Sequence, residues 1–307
     1  MINLPTLRQL RHLTALAEHR HFGKAAAACH VTQSTLSASI KELEDTLGAA
    51  LVDRTKRSVV LTPLGEETVR RGRRVLQEAE ELALNARAAG EPLSGALRMG
   101  VIPTISPFLL PQILPTLRRA YPKLKLYLKE DLTERLIEQL ENGQLDVVLM
   151  ALPYDARNLE TEALFEDRFS LAVPRDHPLA AEKRVKASEL EGEPLLLLQD
   201  GHCLRQHALS ACGIHTRRPV DAFEATSLHT LVQMVDNGLG ITLLPQLAID
   251  AGIAKGTRLV FRPLVSDEPS REIGLAWRRG TARRDEFHLL GRAIAHLVKE
   301  REKKEKR

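Results

Sequence analysis

Residues Phe22 to Arg54 read FGKAAAACHVTQSTLSASIKELEDTLGAALVDR, and their spacing predicts two short helices joined by a tight turn. The alanine-rich run Lys24–Cys29 is small enough for another helix to cross it at close range. His30 and Val31 break that pattern, and Thr32 supplies an N-cap hydroxyl for a second helix. In it Leu36, Ile40, Leu43 and Leu47 recur at helical spacing as one apolar stripe, and Gly48 ends the run. The opposite face carries Gln33, Ser34, Thr35, Ser37 and Lys41, all short or hydrogen-bonding. A second helix with a polar N-terminal face is how a helix-turn-helix reads a major groove. A solvated helical hairpin would show the same periodicity. The extension Leu51–Leu61, LVDRTKRSVVL, argues against it, because two β-prone pieces flank Arg54, Lys56 and Arg57 as a basic wing for phosphates. The expected partner is double-stranded DNA.

The rest of the chain is long enough for further cores. At 307 residues the net charge is only +4, so its placement matters more than its size. Residues 1–90 hold 13 Lys and Arg against 10 Asp and Glu, the tail 299–307 holds 6 against 3, and the 208 residues between hold 25 against 27. The basic excess therefore lies outside the central body, and the tail KEREKKEKR reads as a solvated helix end. Met1 precedes an amphipathic pattern with no apolar leader, and no run approaches the roughly 18 apolar residues of a membrane span. Three cysteines make no disulfide framework, so a cytoplasmic protein without membrane partners is expected.

Leu7 to His19 forms a first helix, with Leu7, Leu10, Leu13, Leu16 and Ala17 on the face that packs on the two above. After the wing, Thr62 and Pro63 start a long helix to Ala89, with Glu66 and Glu67 at its positive end and Gly90 and Pro92 closing it. Its stripe Val75, Leu76, Ala79, Leu82, Ala83 and Ala86 has little chain nearby to cover it, and pairing with a second copy is its natural use. From Leu97 strands and helices alternate. Strands are expected at 97–102, 124–128, 146–149, 170–173, 195–198, 220–222, 241–243, 258–261 and 273–276. Helices are expected at 108–120, 133–142, 203–212, 227–237, 245–251 and 284–299. The fold class is thus α/β behind an all-α winged helix-turn-helix, with ligand space at the carboxyl ends of strands. The expected domains are a DNA-binding unit 1–61, a linker helix 62–90 and a regulatory domain 91–307. Within the last, one subdomain takes about 95–164 and 268–298, the other about 165–267.

The segment 22–54 together with NGLGITLLP at 237–245 resembles the LysR-type transcriptional regulators. IPTISPFLLP at 102–111 and LLLLQDGHCLRQHALSAC at 195–212 resemble the OxyR branch, whose members sense hydrogen peroxide. The resemblance implies a periplasmic-binding-protein-like effector domain and a homotetrameric activator of antioxidant genes, built from dimers on near-palindromic promoter sites. It also implies RNA polymerase as a partner, a reductant such as glutaredoxin or thioredoxin, and no cofactor, metal or catalytic site. Its redox-active pair is Cys203 and Cys212, joined as a disulfide on oxidation. Thr104, after the first strand, and Thr133, at a helix start, would help hold peroxide near Cys203, although each reads equally well as a cap. Arg271 is carried over as a support for the reduced site. Gln206 departs from the branch, which has an acid after the arginine.

The residues around the cysteines carry a reading of their own. Cys203 follows Asp200, Gly201 and His202, a turn-like cluster that would start a helix. A thiol in a first turn, with His202 and Arg205 beside it, becomes more thiolate-like, and the thiolate is what peroxide attacks. Cys212, nine positions on, would resolve the sulfenic acid. Cys29 reads as a packed small residue. Three other readings compete. Cys203, His207, Cys212 and His215 form Cys-x3-His-x4-Cys-x2-His, which matches no common zinc spacing. A thiol peroxidase would leave the DNA-binding unit unexplained. A small organic effector in the cleft, with idle cysteines, is the principal alternative.

Overall fold

Thr6 opens the first helix, α1 (Leu7–His19), through a capping box in which its hydroxyl accepts from the Gln9 backbone amide at 3.2 Å and Gln9 Oε1 accepts from the Thr6 backbone amide at 2.9 Å. α1 closes at Arg20 in the left-handed region (φ 47°), and α2 (Phe22–Ala28) and α3 (Gln33–Leu47) follow. The three pack around Leu13, Leu16, Ala25, Ala26, Leu36, Ile40 and Leu43, joined by Leu51, Val52 and Val69. Two stripe members depart from expectation: Leu7 and Leu47 are 47% and 39% exposed, because each sits in the terminal turn of its helix, beyond the reach of this core. β1 (Val52–Arg54) and β2 (Val59–Leu61) pair antiparallel as a two-stranded ribbon, and α4 (Pro63–Arg87) leads on from it.

The computed structural model describes residues 3–54, 59–87, 92–154, 157–199, 201, 203–211, 225–265 and 270–305. At 54, 81, 84–87, 203, 211 and 302–305 the backbone alone is described. Two compact units result, Met1–Gly90 with the short segment Glu141–Gln144, and the remainder from Glu91 onward.

In the second unit β3 (Gly95–Val101), α5 (Ser106–Ala120), β4 (Leu124–Glu130), α6 (Thr133–Glu141) and β5 (Val147–Leu152) alternate. β4 and β5 both run parallel to β3. β6 (Leu159–Pro174) is followed by α7 (Cys203–Ala211), α8 (Leu228–Asp236), β7 (Thr242–Pro245), α9 (Gln246–Asp250), β8 (Leu259–Pro263), β9 (Ser270–Arg278) and α10 (Arg284–Glu305). The strand order is β4-β3-β5-β9-β6-β7, with β8 also on β6. β5, whose six residues are all buried, lies mid-sheet, as an uninterrupted apolar run requires.

β6 is the largest departure from the sequence reading, which places a strand only at 170–173. The strand begins at Leu159, pairs with β9 first and with β7 and β8 later, and shifts register between Ala163 and Phe165. Its first ten residues, LETEALFEDR, include five charged ones, which hid a strand whose outward face is solvated. The expected strand at 195–198 is realised as two isolated parallel bridges, Leu195 to Ile241 and Leu198 to Ala225. The expected strand at 220–222 and the helix end at Ala89 lie outside the described residues.

Candidate functional site

In the first unit Thr32 caps α3: its hydroxyl accepts from the Thr35 amide at 3.2 Å and meets the hydroxyls of Ser34 and Thr35 at 2.9 and 2.7 Å. Gln33, Ser34, Thr35 and Lys41 are exposed and Ser37 is half-buried, so the polar residues share the face turned from the core. Ser39 faces inward instead, where its hydroxyl meets His12 Nδ1 at 2.8 Å and ties α3 to α1. Burial, then Arg8 and Arg11, push the His12 pKa below its ordinary value, so the neutral ring is the form that fits.

Glu44, late in α3, fixes where the wing starts, since its Oε1 accepts from the amides of Leu51 and Val52 at 2.8 and 3.1 Å. Thr62 closes the other end, its amide donating to Leu51 O at 3.0 Å and its hydroxyl to Ala50 O at 2.9 Å. Gly65 lets α4 reach this junction, because a Cβ there would stand 2.1 Å from Leu51 O. Arg54 ends β1; Lys56 and Arg57 lie outside the described residues.

In the second unit the parallel strands deliver their carboxyl ends to one place. Thr104 follows β3, Thr133 opens α6 after β4, and Pro153 and Tyr154 follow β5. Arg271, the second residue of β9, is buried with Thr104 and Asp167. Its Nη1 donates to Thr104 Oγ1 at 2.8 Å and its Nη2 to Thr104 O at 3.0 Å. Nε and Nη2 both donate to Asp167 Oδ2, at 3.0 and 2.9 Å. Asp167 Oδ1 accepts from the Leu247 amide at 2.9 Å, so the carboxylate is satisfied on both oxygens. A buried charge pair persists only with such additional hydrogen bonds.

Beside this network a cleft of about 420 Å³ is lined by Thr133, Glu134, Ala151, Pro153, Tyr154, Gly201, Arg205, Gln206, His207 and Leu209. Arg205 Nη1 donates to Leu198 O at a long 3.5 Å. α7 packs toward β9 and buries Leu204 and Ala208. Two of the lining residues each carry a buried atom that makes no hydrogen bond, Thr133 Oγ1 and His207 Nδ1. Thr133 is therefore no helix cap here, and Thr104 uses its hydroxyl on Arg271 instead of on α5. Burial, then Arg271, push the His207 pKa down. Cys203 opens α7, while His202 and Cys212 lie outside the described residues. Thus Thr104 joins Arg271, and Thr133 joins Arg205 at the cleft.

Residues 7–66 match the bacterial regulatory helix-turn-helix proteins of the lysR family, and residues 90–298 match the LysR substrate binding domain. The chain belongs to the LysR family. Within it, this regulator is 44% identical over 94% of both chains to the DNA-binding transcriptional dual regulator OxyR of Escherichia coli K12. It is 42% identical to the regulator EstR of Acinetobacter baylyi, over 94% of this chain and 96% of that one. A cysteine-to-aspartate variant of full-length OxyR from Pseudomonas aeruginosa superposes with a TM-score of 0.80 at 37% identity, covering 94% of each chain. A cysteine-to-serine variant of Corynebacterium glutamicum OxyR with hydrogen peroxide bound gives a TM-score of 0.67 at 34% identity, covering 98% of this chain and 94% of that one. This LysR regulator falls in the OxyR branch.

Sequence reasoning missed Asp167 altogether and weighed His207 only as a metal ligand. Among the described residues no cluster of His, Cys, Asp and Glu suits a metal ion. The signal for His207 was its place four residues after Cys203, one turn along the same helix face.

Proposed function

We propose that this LysR regulator senses hydrogen peroxide through Cys203 and Cys212 and reports the result by changing how its paired DNA-binding units sit on promoter DNA. The observation that carries the reading is that Cys203 opens α7 beside a cleft whose wall holds two buried, unpaired polar atoms next to the Arg271–Thr104 network. Peroxide oxidises Cys203 to the sulfenic acid, Cys212 displaces water to form the disulfide, and a thiol reductant such as glutaredoxin or thioredoxin reverses it.

α7 as a helix is incompatible with that bond. Its nine residues separate the Cα atoms of 203 and 211 by about 12 Å. Residue 212 is one peptide, about 3.8 Å, further on. The Cα atoms of 203 and 212 are then at least about 8 Å apart, beyond the roughly 7 Å limit of a disulfide. Oxidation must unwind part of α7, and Leu204 and Ala208 must leave or shift in their pockets.

On the DNA side, Gln33, Ser34, Thr35, Ser37 and Lys41 with the Thr32 cap read the groove, and Arg54, Lys56 and Arg57 bind phosphates. α4, from Pro63 on, pairs two chains through a stripe in which Val75 and Leu82 are 47% and 74% exposed. Dimers assemble to tetramers that act with RNA polymerase in the cytoplasm; oxidation is stoichiometric signalling, not turnover. The cleft volume also suits a small organic effector, the second reading.

Cys203→Ser decides between them. The variant is expected to hold its reduced DNA footprint under peroxide, while Cys212→Ser gives a sulfenic acid trapped by dimedone and no intramolecular bond. A Cys203→Ser protein that changes footprint at the wild-type rate sinks the peroxide reading in favour of the organic effector.

A further inference from the structure

His207 is a titratable ring set into α7 that the peroxide chemistry of Cys203 does not use. It stands one turn after Cys203 and next to Ala208, which with Leu204 seats the helix on the domain. Its Nδ1 is buried and meets no partner among the described residues. A neutral imidazole suits such a place better than an imidazolium, which carries a hydrogen on both ring nitrogens and a full charge with them. The surroundings add to that cost. Arg271 on β9 is a buried cation, and Asp167 on β6 is already spent on it: Oδ2 accepts from Arg271 and Oδ1 from the Leu247 amide. The other charged or titratable groups at the cleft are Arg205 on the same helix, Glu134 on α6 and Tyr154 after β5. Burial first, then Arg271, hold the ring's pKa below the ordinary histidine value.

We propose that His207 makes the balance between dithiol and disulfide acid-sensitive: a proton on its ring opposes the helical form of α7 and favours the oxidised form. The proposal rests on the Cys203–Cys212 reading and deepens it, because it names a condition that sets how readily the bond forms. α7 spans the loop that this disulfide would close, and residue 207 lies at its middle. Unwinding the loop takes the ring away from Arg271 and into water, where its pKa returns to the ordinary range. The reduced, helical state therefore has the lower pKa and the oxidised state the higher one. Above the ordinary value both states hold a neutral ring, and pH does not act through it. Between the two values only the oxidised state is protonated, so falling pH pulls the equilibrium toward the disulfide. Below the lower value both states are protonated and the effect stops growing. Exchange with glutathione disulfide shows the balance. Cys203 and Cys212 give two electrons and two protons to the glutathione sulfurs, which leave as two thiols, and His207 takes one further proton from solvent. Acid thus leaves the sensor easier to oxidise and harder to reset.

The test equilibrates the full-length protein and its His207→Gln variant with glutathione buffers from about pH 7.5 to about pH 5.5. Acid quenching, alkylation and mass spectrometry then count dithiol against disulfide. Glutamine keeps a polar side chain at the position and cannot titrate. As pH falls through the window, the wild-type equilibrium constant for oxidation is expected to rise relative to the Gln constant by up to about tenfold per pH unit. Protonation of the two thiols enters both proteins alike and cancels in the ratio. A ratio that is flat with pH, or that falls in acid, overturns the proposal. Should the Gln variant fail to fold, the titration of the His207 ring in the wild type decides, followed by NMR with labelled histidine in each redox state. A higher pKa after oxidation is expected there, and equal values overturn the proposal. Peptide mapping of the same samples keeps the two levels apart. A Cys203–Cys212 bond absent at every pH defeats the sensing reading and takes this proposal with it, whereas a bond that forms with a flat ratio removes His207 alone.

Discussion

α3 and α7 are both polar-faced helices assigned a functional surface, yet they are built for opposite behaviour. α3 has fifteen residues, a threonine cap at one end, a left-handed glycine at the other, and Leu36, Ile40 and Leu43 fully buried. α7 has nine residues and, among its described side chains, buries Leu204 and Ala208. A helix that short has no stability of its own in water and depends on its tertiary contacts. One fully buried leucine contributes roughly 1.5–3 kcal/mol, within reach of a disulfide's effect. On the proposed function, α3 is fixed so that its DNA-facing side stays constant, and α7 is held weakly enough for a bond to replace it. On the same proposal, the buried Arg271–Asp167–Thr104 network is the wall against which α7 would move.

The largest effect is expected from breaking that wall. Asp167→Ala strands a buried guanidinium and should cost about 3–5 kcal/mol in urea denaturation of the regulatory unit. A loss under 1 kcal/mol would mean that Arg271 is not fixed and that the contrast between wall and helix is false. Gly65→Ala should come next, at about 1–3 kcal/mol, because its Cβ meets a backbone oxygen that cannot swing aside. Weaker DNA binding should accompany the loss, read by fluorescence anisotropy, and unchanged affinity would detach the wing from this junction. Thr32→Ala should cost about 1 kcal/mol and loosen the first turn of α3 in hydrogen exchange.

Acid should give the mildest effect. His12 is neutral in the folded state with a pKa below its unfolded value. The stability it protects is therefore complete above the ordinary histidine range and is lost as pH falls through that range toward the folded value. His12→Gln should flatten this dependence in thermal melts, and an unaltered acid limb would assign it to another group.

Local chemistry was what the sequence carried legibly. The bounds of α1, the Thr32 cap, the Gly48 stop and the Thr62–Pro63 start all follow from residues within one turn of the feature they set. Long-range pairing was not legible. Asp167 looks like one more acid in a charged stretch until β6 and β9 lie side by side and set it against Arg271, 104 positions away. His207 entered only as one ligand of a zinc pattern whose spacing did not fit, because spacing along the chain says nothing about Thr133, which α6 brings to the same cleft.

The most direct test of the account compares α7 with α3 in the wild-type protein by amide hydrogen exchange, before and after one equivalent of peroxide. After oxidation, with the Cys203–Cys212 bond verified by peptide mapping, amides of residues 204–211 should exchange much faster while those of α3 hold their protection. A protein that carries this bond and keeps α7 protected would contradict the account.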